Sequence, residues 1–152
     1  MHAVFLDYKT VDAGDLGLES IRAVLPEIKV YPYSTEAEVL DRIQGIEVAI
    51  ANKIEFDSKV FDYAKKLKLI CVTATGTNNI DLDSAEKAGV TICNIRDYCT
   101  ESVTQHVLLS ILSLSHSYFD YMHSIQRANG KKAVASVCSN TPLKSFQEKN
   151  WE

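Results

Sequence analysis

Ten consecutive residues near the middle of the chain could do chemistry: Val72-Thr73-Ala74-Thr75-Gly76-Thr77-Asn78-Asn79-Ile80-Asp81. An apolar strand end runs here into a tight, glycine-containing turn rich in hydroxyls and amides. The exposed backbone N–H groups of such a turn can hold an anion. Asp81 stands where it can cap the helix that follows, which would fix the loop. Lys53 closes the preceding apolar run and can supply a positive charge beside the same anion. Two further stretches belong to the pattern: Thr91-Ile92-Cys93-Asn94, and then Thr100-Glu101-Ser102-Val103-Thr104-Gln105-His106. Each candidate also has a plainer reading. Thr75-Gly76 could be a structural turn, although the neighbouring motifs agree better with an anion loop. Lys53 reads equally as a surface lysine. Cys99 reads as a plain loop cysteine before it reads as a reactive thiol, and His106 as a packed or capping histidine before a general base.

The elements that must position these residues follow from the hydrophobic pattern. Short apolar runs at Ala3–Leu6, Ile28–Tyr31, Val48–Ala51, Leu69–Val72 and Val90–Cys93 predict five strands. Helical spacing predicts helices over Leu16–Leu25, from a Ser34 or Thr35 cap to Gly45, over Ser58–Lys66, and over Leu82–Ala88. Basic residues at the end of the third suit the helix dipole. Alternating strands and helices indicate a parallel sheet covered on both faces. Right-handed crossovers leave few topologies, and the expectation is a flavodoxin-like, doubly wound α/β sheet of order 2-1-3-4-5. Ligands of such sheets bind beyond the carboxyl ends of the strands, which directs attention to Asp7-Tyr8, Asn52-Lys53, Thr73–Asn79 and Asn94–Cys99. Receiver domains of this fold carry a phospho-acceptor Asp at the end of strand three and paired acids after strand one. Asn52-Lys53 and Tyr8 stand in those places, which argues against that reading of Asp7.

Beyond Cys99 the pattern changes. Thr100 is a candidate N-cap, and Val103, Val107, Ile111, Leu114, Tyr118, Met122 and Ile125 form one stripe. This predicts a single helix of well over twenty residues reaching toward Arg127. Leu108, Leu109, Leu112 and Phe119 widen the stripe, so something must cover it, and an interdomain or subunit interface is expected. Residues 1–99 thus read as one domain and 100–152 as a helix and arm. The tail from Gly130 to Glu152 has weak periodicity and ends near Trp151.

At 152 residues, 46% hydrophobic and 24% charged, the chain suits one ordinary globular core. A net charge of −4 without a basic stripe argues against a nucleic-acid partner. No apolar stretch is long enough to span a bilayer, and no signal peptide precedes the first strand. Cytoplasmic, reduced thiols are therefore expected. Cys71 and Cys93 lie inside strand-like runs and read as small buried hydrophobes; Cys99 and Cys138 form no Cys-x-x-Cys pair. His116 and His123 lie seven apart, where surface or packing roles are favoured over metal ligation.

Taken together, the loop, the strand after it and the helix start resemble the substrate-binding domain of the D-isomer-specific 2-hydroxyacid dehydrogenases, nearest to the branch containing glycerate dehydrogenase. The resemblance covers essentially the whole chain. It implies that Thr75 and Gly76 bind a substrate carboxylate through backbone N–H groups, that Lys53 reaches the substrate, and that Cys99 lies at the same cleft. It implies that Thr100 and Val103 lie near the nicotinamide of NAD or NADP, and that the tail is an arm clasping a second subunit in a homodimer. The partner molecule would be a small 2-hydroxy or 2-oxo acid. Two departures are tolerable: Ala74-Thr75-Gly76 replaces the common Gly-Val-Gly, and Thr104-Gln105 replaces Ala-Glu. The larger departure is the dinucleotide domain, expected only beyond Glu152. The six glycines include no Gly-x-Gly-x-x-Gly trio. Arg22, Arg42, Arg96, Arg127 and His106 do not match the family's catalytic arginine and histidine. No catalytic residue is therefore assigned, no cofactor is expected on this chain alone, and it reads as the inactive front part of such an enzyme. The other reading is a non-enzymatic domain that only self-associates.

Overall fold

In a computed structural model the chain is described from Met1 to Arg127. The tail arm, with Cys138 and Trp151, lies outside the described residues. Two compact units divide between Asp97 and Tyr98.

The first unit holds β1 (Ala3–Phe5), α1 (Glu19–Val24), β2 (Lys29–Val30), α2 (Glu36–Arg42), β3 (Val48–Ala51), α3 (Ser58–Tyr63), β4 (Leu69–Val72), α4 (Leu82–Lys87) and β5 (Thr91–Asn94). All strand pairs are parallel, and the order is β2-β1-β3-β4-β5, as the apolar runs and crossover handedness imply. Central strands β1 and β3 are buried at every position. Period-two alternation then separates two cores. Val4, Leu6, Ala49, Ala51, Ile70 and Val72 face the larger one, under α2, α3 and α4, where Val39, Val60, Phe61 and Ala85 close it. Ala3, Phe5, Val48 and Ile50 face the smaller one, where Leu25 and Ile28 are buried and Ile21 of α1 packs against them.

Helix starts are set locally. Thr35 and Glu38 form a reciprocal capping box on α2. The side chains of Asp57 and Asp81 accept from the N–H groups of Val60 and Ser84. Glycines at positive φ stand just past the ends of α2 (Gly45, 74°) and α4 (Gly89, 70°), where a side chain would be strained.

Several expectations need correction. Helix α3 ends at Tyr63, so Lys65 and Lys66 lie beyond it rather than in its last turn. The smaller core stops short of the sheet's far edge. Within this unit only α1 covers that face, so Cys71 is half-buried and Cys93 exposed rather than both being buried. An unanticipated 3-10 turn, Tyr8–Thr10, follows β1.

The second unit contains α5 (Thr100–Ser115) and α6 (Tyr118–Arg127), not one long helix. Ser117 adopts φ 51°, and its N–H turns back to Leu114 O. A left-handed residue ends a helix wherever it occurs. Nearby, Ser115 Oγ donates to the carbonyls of Ile111 and Leu112. The break separates His116 from His123, so they do not share a helix face. Cys99, not Thr100, takes the N-cap position of α5, with no capping side-chain bond.

Asp12 ties the link between the 3-10 turn and α1. Its Oδ1 accepts from the N–H groups of Gly14, Asp15 and Leu16, and its Oδ2 from Lys9 Nζ at 2.9 Å. The Lys9 bond, then the backbone donors, hold its carboxyl down at about 2. A depressed carboxyl contributes stability that is complete above its ordinary value, near 3.8, and is lost as pH falls through the folded value. Thermal unfolding of the wild type should therefore weaken between about pH 4 and pH 2. Asp12→Asn should be less stable at neutral pH and show a flatter acid limb, and an unchanged limb would refute the assignment.

Candidate functional site

The carboxyl ends of β1, β3, β4 and β5 are joined by polar bonds that begin at Asp7. Its side chain is 2% exposed. A buried carboxylate must be satisfied by donors. Asp7 Oδ1 accepts from Asn52 N at 2.9 Å, and Oδ2 accepts from Lys53 N at 2.6 Å. The carboxylate thus serves the backbone just past β3, which explains physically why no phospho-acceptor role is needed for it. Asn52 Nδ2 donates onward to Thr10 Oγ1 at 3.0 Å, and Thr10 Oγ1 donates to Asp7 O.

The loop after β4 is stitched to this frame. Asn79 Nδ2 donates to Ile54 O at 2.6 Å, Phe56 N to Asn79 O at 2.8 Å, and Asp81 N to Phe56 O at 2.9 Å. On the other side, Asn94 Nδ2 donates to Thr75 O at 2.6 Å and Ile95 N to Ala74 O at 3.1 Å. Asp81, held below its usual range by bonds from Ser84, caps α4 and closes the loop.

Between these anchors Thr75 and Gly76 are exposed. Gly76 has no positive φ. A Cβ built there would meet only Asn78 Oδ1, at an ordinary 3.7 Å. Neither backbone strain nor crowding by the fold calls for glycine at this position. Close approach by a molecule outside the chain would call for it.

The structure places Lys53 at the same edge, but its side chain is exposed and lines a depression of about 210 Å³ with Glu36 and Glu55 among its walls. The firmly held part of Lys53 is its N–H. Cys99, Thr100 and Val103 belong to the second unit, in the first turn of α5, where Val103 N donates to Cys99 O. Sequence reasoning overlooked Asn94 and Asn79 as positioning residues. Asn94 ends β5 and Asn79 lies in the loop before α4, and the only signal was an amide near the carboxyl edge of the sheet. In the second unit, His106, Leu109, Leu112, Leu114 and Phe119 help line an open apolar groove of about 820 Å³. Among the described residues no cluster of three or more potential metal ligands occurs, and no helix is long and apolar enough to cross a membrane.

Residues 6–145 match the model of the D-isomer specific 2-hydroxyacid dehydrogenase catalytic domain. The chain belongs to this family. It is similar to glycerate dehydrogenase of Methylorubrum extorquens, 34% identical over 143 residues, covering 92% of this chain and 44% of that protein. It is also similar to hydroxypyruvate reductase of Blautia hydrogenotrophica, 31% identical over 119 residues, covering 76% and 37%. Among solved structures, an acyclic imino acid reductase in complex with NADPH and D-Arg shares the fold (TM-score 0.76, 14% identity, 95% of this chain and 45% of that one). So does a glyoxylate reductase from Paecilomyes thermophila (TM-score 0.71, 16% identity, 95% and 45%). The chain spans less than half the length of each.

Replacing Asp7 by Ala would orphan two backbone donors in this 2-hydroxyacid dehydrogenase unit. The expected loss is about 1–3 kcal/mol for each, read as a lower urea midpoint. The exposed control Asp62→Ala should stay within about 0.5 kcal/mol. Equal midpoints for the two variants would refute the clasp.

Proposed function

We propose that this chain is the substrate-holding front part of an NAD(P)-dependent D-2-hydroxyacid dehydrogenase, acting on a small 2-hydroxy or 2-oxo acid. The observation that carries the reading is Gly76, a glycine the fold does not require, exposed in a loop whose flanks are fixed by Asn79 and Asn94. In this reading the N–H groups of Thr75 and Gly76 donate to the substrate carboxylate. Lys53 adds positive charge from the neighbouring strand end.

The cofactor fits these residues poorly. A dinucleotide's pyrophosphate needs a glycine-rich turn after a first strand, opening onto a helix N-terminus. The turn after β1 instead holds the Asp7 carboxylate, which already takes the nearby N–H groups and would repel phosphate. No glycine trio of the required spacing exists. Thr100 and Val103 would at most border the nicotinamide end. Hydride transfer is therefore assigned to a dinucleotide held elsewhere in a longer enzyme, and the residues here hold the acid rather than transfer the hydride. The chain alone is proposed to be inactive.

Backbone NMR titration with hydroxypyruvate, glyoxylate and glycerate should shift the Thr75 and Gly76 amides first. Gly76→Ala should match the wild type in stability or exceed it by about 0.4–1 kcal/mol, because a compatible Ala lowers unfolded-state entropy. The same variant should bind roughly tenfold more weakly, about 1.4 kcal/mol. Equal binding would overturn the site. Steady NADH oxidation by the chain alone would overturn its proposed incompleteness.

A second reading rests on the apolar groove of the second unit, where Leu109, Leu112, Leu114 and Phe119 are all more than half exposed. Apolar surface gathered this way marks an interaction site, here proposed as self-association into a homodimer. Sedimentation equilibrium should show dimer at high concentration, weakened by Leu109→Glu; strict monomer throughout would exclude it.

A further inference from the structure

Strands β4 and β5 pair so that Cys71 stands directly opposite Cys93. Partners in a parallel ladder project to the same face, and the period of two puts Leu69, Cys71, Thr91 and Cys93 together on one side. Burial agrees. Ile70 and Val72, on the other side, are buried in the larger core, whereas Leu69 and Cys71 are half-buried and Thr91 and Cys93 exposed. Within this unit the helix covering that side, α1, packs over β1 and β3; Leu69 and Cys71 rest against the margin of that core, and β5 contributes nothing to it. Both cysteines are free. The thiols also sense each other: burial first, and then the neighbouring Cys93, push the Cys71 thiol above its ordinary value.

We propose that Cys71 and Cys93 form a dithiol site on the open face of the sheet, which low-molecular-weight disulfides oxidise reversibly to a cross-strand bridge. Neighbouring strands lie about 4.7–4.9 Å apart. That is inside the Cα separation of about 4.4–6.8 Å found for disulfides and a few tenths of an ångström beyond their usual Cβ separation. The small closure needed falls on β5, which among the described residues is an edge strand paired on one side only.

The chemistry is two successive exchanges. The exposed Cys93 loses its proton, and its thiolate attacks one sulfur of the small disulfide. A Cys93–small-molecule bond forms, the small S–S bond breaks, and one small thiolate leaves and is protonated. Cys71 then loses its proton and attacks the Cys93 sulfur. The Cys71–Cys93 bond forms, and the second small thiolate leaves and is protonated. Two protein thiols are oxidised and one small disulfide is reduced to two thiols. Only the thiolate attacks, so the half-buried Cys71 makes the second exchange the slower one and quickens it as pH rises.

The test uses the 152-residue chain with Cys99→Ser and Cys138→Ser, which leaves only the pair. Folded protein is incubated with oxidised glutathione at about pH 8.5, near the ordinary thiol pKa, then blocked with N-ethylmaleimide and weighed. The expected product has lost two hydrogens, carries neither glutathione nor maleimide, and returns to two blockable thiols after dithiothreitol. An unreduced tryptic digest should join Leu69–Lys87 to Ala88–Arg96. Adding Cys71→Ser should stop the reaction at a Cys93–glutathione adduct. A stable adduct on Cys93 without bridging in the Cys71-containing protein would overturn the proposal. So would two unreacted thiols, or a bridge seen only in urea; these readings need no variant beyond Cys99→Ser and Cys138→Ser.

Discussion

The arrangement of the site depends on one buried carboxylate. Asp7 ends β1 with its charge almost wholly removed from water, a costly placement unless donors meet it. The donors are the N–H groups of Asn52 and Lys53, just past β3. The two central strands are thereby fixed to each other at the edge where ligands of such sheets bind. The carbonyl of Ile54 then receives Asn79, the carbonyl of Asn79 receives Phe56, and the loop holding Thr75 and Gly76 is suspended from that frame. A loop held mainly by its own contacts would adjust to a ligand at an entropic cost. This one is ordered by bonds to three neighbouring segments before any ligand arrives.

The two faces of the sheet are unequal, and much follows from that. Three helices close the larger core, and one closes the smaller. The larger core accounts for the unbroken burial of Ile70 and Val72 and for the tight fit of α4 after the loop. The smaller one thins out toward β5. Leu69 and Cys71 of β4 still rest against its margin, whereas Thr91 and Cys93 of β5 lie beyond it and stay exposed. Cysteine in a strand is neutral to the fold in such a place, and its reactivity then matters more than its packing.

Much of this was legible in the sequence. Apolar runs of strand length between helical patterns located all five strands, and handedness left few orders, of which the doubly wound one expected is the one found. Asp81 was readable as a cap, and Thr35 as one of two candidates with Ser34, because capping acts over three residues. What escaped is of two kinds. Asp7, Asn79 and Asn94 act on residues 19 to 46 positions away in the chain, and no local pattern marks such pairings. The break at Ser117 was hidden for the opposite reason. The apolar stripe continues through Tyr118 and Met122 in helical phase, while the residue that turns left-handed is neither Gly nor Pro. Cys93 was misjudged because an apolar run signals a strand without showing whether it lies at an edge.

The glycine of the loop separates fold from function. Gly45 and Gly89 are at positive φ and are explained by the helices they end. Gly76 is not, and the space beside it is open. If its neighbourhood were only a turn, an alanine would serve as well and would lower the entropy of the unfolded chain. The flanking residues make the contrast sharper. Thr75 gives its carbonyl to Asn94, and Ala74 gives its carbonyl to Ile95. A peptide whose carbonyl is engaged on the protein side directs the N–H of the following residue roughly the opposite way. The Thr75 and Gly76 N–H groups follow those two engaged carbonyls. An anion resting there would meet backbone donors, with no Cβ in the way at Gly76.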